Sequence, residues 1–165
     1  MDKKVFILGS IFLILDQVSK VIVDTFLTVN QTVVVIKNFF SLTCVYNTGA
    51  AFSILEGKTL FLSFFTIIVL FMIIRMNKEF RDNKRNILAF GLLLGGTVGN
   101  LADRLFLGMV RDFLKFKIFG YNFPVFNLAD AFIIIGMCLL IISIIKGEDD
   151  SGSSSKRRSK ERTVR

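Results

Sequence analysis

The chain has 165 residues, 53% of them hydrophobic, with nineteen Phe, one Pro, no His and a formal net charge of +8. Its length is that of one domain, and a mean hydropathy of +0.63 is far too high for a soluble one. Without His, a zinc site and a Ser-His-Asp triad are excluded, and neither cysteine has the His partner that a thiol nucleophile usually needs.

Four apolar stretches approach the roughly 20 residues needed to cross a bilayer. The first, Val5 to about Leu27, follows Lys3 and Lys4 and so begins like a signal peptide. No small-x-small cleavage site ends it; Asp16, Gln17, Ser19 and Lys20 interrupt it and Val21-Ile22-Val23 resume it, which predicts an uncleaved helix. Thr32 to Ile36 and Phe39 to Tyr46 are β-rich and separated by Lys37-Asn38, predicting a small strand pair. The segment Tyr46-Asn47-Thr48-Gly49-Ala50-Ala51-Phe52 then returns to the membrane with small residues that allow close backbone approach. A second helix is predicted over Leu60 to Ile74 and a third over Ile87 to about Leu107. After it, Asp112, Leu114, Phe116 and Ile118 share one parity and Arg111, Phe113, Lys115 and Lys117 the other, predicting a strand or hairpin that turns near Gly120. A fourth helix is predicted over Ala131 to Ile145. The expected architecture is thus a membrane α-helical, four-transmembrane-helix bundle with a small extracytoplasmic β-rich element. Residues 1–146 form the membrane domain, and 147–165, rich in Ser, Lys and Arg, form a disordered tail near anionic lipid.

Fourteen of the 21 Lys and Arg residues fall before the first stretch, between the second and third, or after the fourth. With four spans these segments share one side, and the positive-inside rule makes it cytoplasmic, with both termini there. The positive charge is therefore a topology signal rather than a nucleic-acid footprint. Cys44 is expected outside and Cys138 within the fourth helix, so the two cannot pair within one chain.

Three polar clusters lie in or beside the apolar stretches, at Asp16 to Lys20, Asn100 to Arg104 and Asn127 to Asp130. At 1.5 Å of rise per residue, Asp16 lies roughly 18 Å and Lys20 roughly 24 Å above Lys4. By the same measure Asn100 and Asp103 lie roughly 22 and 27 Å above Arg85, and Asp130 roughly 24 Å above Lys146. All three clusters thus sit at one level, just inside the outer boundary of a core about 30 Å thick. Each has an ordinary reading. Asp16 and Lys20, at i and i+4, form an intrahelical ion pair; Asn127 or Asp130 caps the fourth helix; Asn100 to Arg104 is a snorkelled helix end; Gly91, Gly95 and Gly99 pack helices closely. Their meeting at one depth is what those readings leave unexplained, because polar groups there must face one another or water rather than lipid.

Read in order, five segments resemble the motif set of the bacterial lipoprotein signal peptidases (signal peptidase II). They are Asp16-Gln17-Val18-Ser19-Lys20, Asn47-Thr48-Gly49-Ala50-Ala51-Phe52, Gly95 through Asn100-Leu101-Ala102-Asp103-Arg104, Val110-Arg111-Asp112-Phe113 and Phe126-Asn127-Leu128-Ala129-Asp130. The resemblance implies an intramembrane aspartyl endopeptidase that removes the signal peptide of diacylglyceryl-modified prolipoproteins, cutting just before the lipidated cysteine. It implies Asp112 and Asp130 as the catalytic pair. Asp16, Lys20, Asn47, Gly49, Asn100, Asp103, Arg104 and Asn127 are then the supporting and substrate-binding positions. No cofactor or metal is implied; the expected partners are prolipoprotein substrates and membrane lipids, the protein is expected to be monomeric, and its site to lie near the extracytoplasmic face of the bacterial cytoplasmic membrane. The chemistry agrees with the residue types, since two carboxyls sharing one proton hydrolyse an amide without metal, Cys or His. The sequence leaves open which of the two holds that proton. Two other readings are a small ion or solute transporter using its intramembrane Asp and Lys, and a structural subunit using glycines and polar pairs for assembly. Against the first, transporter sites favour the midplane between repeats, whereas this polar level is displaced outward and no internal repeat is visible.

Overall fold

A computed structural model of the chain describes residues 2–50 and 54–149. Helix α1 spans Lys3–Phe26 and is capped by Asp2, whose side chain accepts from the Lys4 amide. It buries Asp16 and Lys20 and leaves Ile7, Ile11, Ile14, Val18, Val21 and Ile22 exposed, the reverse of a helix in a water-soluble protein. Helices α2 (Thr59–Met76, extended by a 3₁₀ turn over Asn77–Glu79) and α4 (Leu128–Ile145) likewise expose Phe64, Phe71, Ile134 and Ile145. An apolar surface this continuous is stable against lipid rather than water.

Helix α3 (Lys84–Leu107) is the exception: it is central, packs against α1, α4 and α2, and buries one residue after another from Ala89 to Thr97. Two adjacent glycines set its distances. A Cβ on Gly95 would lie 2.7 Å from the Gly9 carbonyl oxygen of α1, and one on Gly96 would lie 2.5 Å from the Ala129 carbonyl oxygen of α4. Glycine here admits both neighbouring backbones, the small-residue packing expected in lipid. Among the described residues, three helices qualify by length and composition to cross a membrane: Lys3–Phe26, Thr59–Glu79 and Leu128–Ile145.

The strands form one antiparallel sheet in the order β1-β2-β3-β4. The predicted pair is present as β1 (Thr32–Ile36) and β2 (Phe40–Asn47), turning through Asn38 at a positive φ of 61°, which Asn tolerates. β2 pairs with β3 (Val110–Ile118), setting Val45 opposite Asp112 and Asn47 opposite Val110. β3 turns through Phe119 and Gly120, both at positive φ, into β4 (Tyr121–Asn122). That is where the hairpin was expected. A small cluster of Val23, Cys44 and Phe113, with Leu27 and Leu128 against it, fixes the sheet to the end of α1 and the start of α4.

Helix α4 begins three residues before the predicted start. Asn127 is its cap: its side chain accepts from the Asp130 amide while the Asp130 carboxylate accepts from the Asn127 amide, a reciprocal capping box that stabilises an extra turn. Of the expected tail, Glu148 is held by Arg85 and Asn83 against the start of α3. Positions 150–165, and Ala51 and Phe52 of the return segment, lie outside the described residues.

Candidate active site

Asp112 comes from β3 and Asp130 from the first turn of α4, and both line one cavity of about 360 Å³. Asn47, Asn100 and Arg104 share that lining, while Val110, Phe123, Val125, Phe126 and Ile133 make its apolar walls. Three amide side chains hold the carboxylates. Asn127 Nδ2 donates to Asp112 Oδ1 at 2.7 Å, and Asn47 Nδ2 donates to Asp112 Oδ2 at 3.0 Å. Asn100 Nδ2 donates to Asp130 Oδ1 at 2.7 Å, and the Asn127 amide donates to Asp130 Oδ2 at 3.2 Å. Asn127 therefore contacts both carboxylates, one through its side chain and one through its backbone. The bond from its backbone amide to Asp130 belongs both to the helix cap and to the site.

The orientation of Asn100 is set from behind by Lys20. The Lys20 ammonium, fully buried, donates to Asn100 Oδ1 at 2.9 Å. A lysine ammonium only donates, so the amide must turn its oxygen to Lys20 and its nitrogen to Asp130. Asn127 Nδ2 also donates to the same Asn100 oxygen, at 3.1 Å. Lys20 is held in turn by Asp16 at 2.8 Å and Asp103 at 3.3 Å. Asp16 also accepts from the Ala129 amide at 3.0 Å, which ties α1 to the start of α4.

The ten residues singled out from sequence therefore occupy distinct places. Asp112, Asp130, Asn47, Asn100 and Arg104 line the cavity. Asn127 bridges the two carboxylates, Gly49 accepts from the Arg104 guanidinium through its carbonyl, and Asp16, Lys20 and Asp103 form the buried charge cluster behind Asn100. Three further residues belong to that cluster. Arg111 donates to Asp103 Oδ1 at 2.7 Å and to Gln17 Oε1 at 2.9 Å, and pairs with Asp24 at 3.4 Å. The strand parity that separates Arg111 from Asp112 was the available signal; which helices lay on Arg111's side was not.

Burial drives the Asp112 carboxyl up, the neighbouring Asp130 carboxylate adds to this, and donation from Asn47 and Asn127 opposes it, leaving Asp112 pushed up to about 7. Two acidic groups share one apolar cavity, one poised near neutrality and both oriented by amides. Two carboxyls so placed can act as a general acid and a general base.

Comparison with known proteins bears on the same residues. The family model described as signal peptidase (SPase) II matches residues 8–146. The lipoprotein signal peptidases of Staphylococcus aureus strains JH9 and Newman are each 40% identical over 162 residues, covering 94% of this chain and 98% of theirs. A bacterial membrane enzyme solved by the in meso method at 2.3 Å superposes with a TM-score of 0.78 at 36% identity, covering 90% of each chain. A second, solved at 1.9 Å, gives 0.76 at 37% identity, covering 86% of this chain and 92% of that one. With its membrane-length apolar helices and a match running nearly from end to end, this integral membrane protein belongs to the signal peptidase II family.

Proposed function

We propose that this protein is an aspartyl endopeptidase that removes the signal peptide from diacylglyceryl-modified prolipoproteins, cleaving just before the lipidated cysteine, with Asp112 and Asp130 as the catalytic pair. The observation that carries this is the convergence of those two carboxyls on one cavity, joined through Asn127. A water between them gives a proton to the ionised carboxylate as its oxygen bonds the scissile carbonyl carbon. The protonated partner donates to the carbonyl oxygen. Collapse of the tetrahedral species breaks the C–N bond, and the leaving amine takes a proton from the pair, returning it to its starting state. Arg104, Asn47 and Asn100 line the space where the substrate backbone would lie, and the apolar walls suit the side chains of a signal peptide.

Residues 1–146 are in this reading the membrane peptidase domain, 147–165 a basic cytoplasmic tail, and the working unit a monomer among lipids. Helix α3 is the fourth span; its glycines and Asn100, Asp103 and Arg104 lower its hydropathy because it faces helices rather than lipid. The sheet lies at the end of the bundle where α1 and α3 finish. Lys78, Arg81, Lys84, Arg85 and Lys146 lie at the other end, which supports cytoplasmic termini and a site near the outer face.

Detergent-purified protein incubated with a diacylglyceryl-prolipoprotein tests the reading. Cleavage before the lipidated cysteine is expected, with Asp112→Asn and Asp130→Asn each folded and slowed about 10³-fold or more, since general acid–base catalysis is worth about 10²–10⁴. Retained cleavage in either variant would break the assignment of the pair.

A further inference from the structure

The catalytic reading leaves Arg111 unused, although it is the most heavily engaged side chain beside Asp112. Its side chain is 11% exposed. Its guanidinium reaches Asp103 of α3 through Nη2 at 2.7 Å and Nε at 3.3 Å, while its backbone amide donates to the same carboxylate at 3.1 Å. The guanidinium also reaches α1, donating to Gln17 Oε1 and pairing with Asp24. Gln17 thereby has its oxygen committed to Arg111, and its nitrogen turns to Asp16 at 3.1 Å and Asp103 at 3.2 Å.

This clamp does two things. Mechanically, it ties the residue next to Asp112 to α1 and α3, while Asp112 itself is bonded to Asn47 and Asn127. Electrostatically, it shares Asp103 with Lys20, which lies 3.3 Å away. Remove the guanidinium, and Lys20 becomes the nearest cation to both Asp16 and Asp103. The ammonium would be drawn towards Asp103 and away from Asn100, the residue whose amide faces Asp130.

We propose that Arg111 is a positioning residue for the aspartate pair, one that fixes β3 against α1 and α3 and frees Lys20 to hold Asn100 in the orientation that donates to Asp130. This rests on Asp112 and Asp130 being the catalytic pair. The charged and titratable groups facing that pair and its support are Asp16, Lys20 and Asp24 from α1, Cys44 and Tyr46 from β2, Asp103 and Arg104 from α3, and Arg111 itself from β3. Loss of Arg111 leaves this set one positive charge short, and added negative charge near carboxyls favours their protonated forms.

The test is cleavage of a diacylglyceryl-prolipoprotein across pH by the native protein and by Arg111→Gln, Arg111→Lys, Arg111→Gln/Asp103→Asn and Asp112→Asn. Arg111→Gln is expected to lower kcat by about 100-fold, the order of a misplaced reacting group, with KM within about twofold. It should also move the whole pH profile to higher pH. Arg111→Lys keeps the charge and loses the fork, so its profile should stay at the native position while kcat falls. It is also the variant to read should Arg111→Gln not fold. Removing the stranded carboxylate in Arg111→Gln/Asp103→Asn should return the profile to the native position. A native kcat in both single variants, or a loss of kcat in Arg111→Gln with an unmoved profile, would overturn the proposal. Activity persisting in Asp112→Asn would sink the catalytic pair instead, whatever the Arg111 variants do.

Discussion

Asp112 receives hydrogen bonds from two amide nitrogens, Asn47 Nδ2 and Asn127 Nδ2, a shell that orients the carboxyl without forcing it to stay ionised as an arginine fork would. With Asp112 pushed up to about 7, a substantial share of the molecules keeps a proton there at neutral pH. Cleavage should then decline as pH rises beyond about 7 and the last shared proton leaves, and a kcat profile from pH 5 to 9 measures it. In Asp130→Asn the Asp112 carboxyl itself should titrate at lower pH, followed by its infrared carboxyl band, because the neighbouring charge that helps to raise it is gone. The same shift bears on stability. Asp112 binds its proton more tightly folded, at about 7, than in the unfolded chain, near 3.8, so its contribution to stability falls as pH rises between those values. Asn127 serves both carboxylates and caps α4, so Asn127→Ala should cost about 1 kcal/mol through the cap alone. Its loss of kcat should be larger than that destabilisation explains, as thermal unfolding beside single-turnover kinetics would reveal.

At the scale of elements, α3 is the axis on which the site depends. It carries Asn100, Asp103 and Arg104, and its glycines bring α1 and α4 close enough for Asp16 to reach the Ala129 amide. Gly96→Leu should therefore push α4 away; overpacking costs about 1–3 kcal/mol, and cleavage should fall by more than stability because Asp130 moves with α4. A lowered melting temperature with unchanged cleavage would separate helix packing from site geometry. The charge cluster is equally an inter-element device. Asp16→Ala leaves Lys20 buried with one carboxylate fewer, a type of loss that costs about 3–5 kcal/mol, measurable by thermal unfolding in detergent.

For the whole molecule, orientation is the property that decides where the cavity opens. Cysteines placed singly at Asn38 and Lys78, in a background lacking Cys44 and Cys138, should respond oppositely to a membrane-impermeant maleimide. The first should label in intact cells and the second only after permeabilisation. Labelling of Lys78 from outside would invert the topology drawn from the basic residues. The helices were legible because lipid-facing surfaces demand apolar runs of a fixed length, and the observed α1, α2 and α4 fall on them within a few residues. The start of α4 was misjudged because the sequence rule looks for apolar character, whereas a capping box between Asn127 and Asp130 decides where the first turn forms.

Sequence by itself determined the class of this protein, its apolar helices, its strand pair and hairpin turn, and the polar residue types at one depth, since each follows from local periodicity, turn chemistry or the cost of charge in lipid. Its ordered motifs carried the family. Tertiary structure decided which of those polar groups face the cavity and which stand behind it. Neither the bond from Asn127 to Asp112 nor Arg111 joining Gln17, Asp24 and Asp103 is readable from spacing. Those bonds join residues on different elements, and only the packing of α1, α3, α4 and the sheet brings the donors and acceptors within reach.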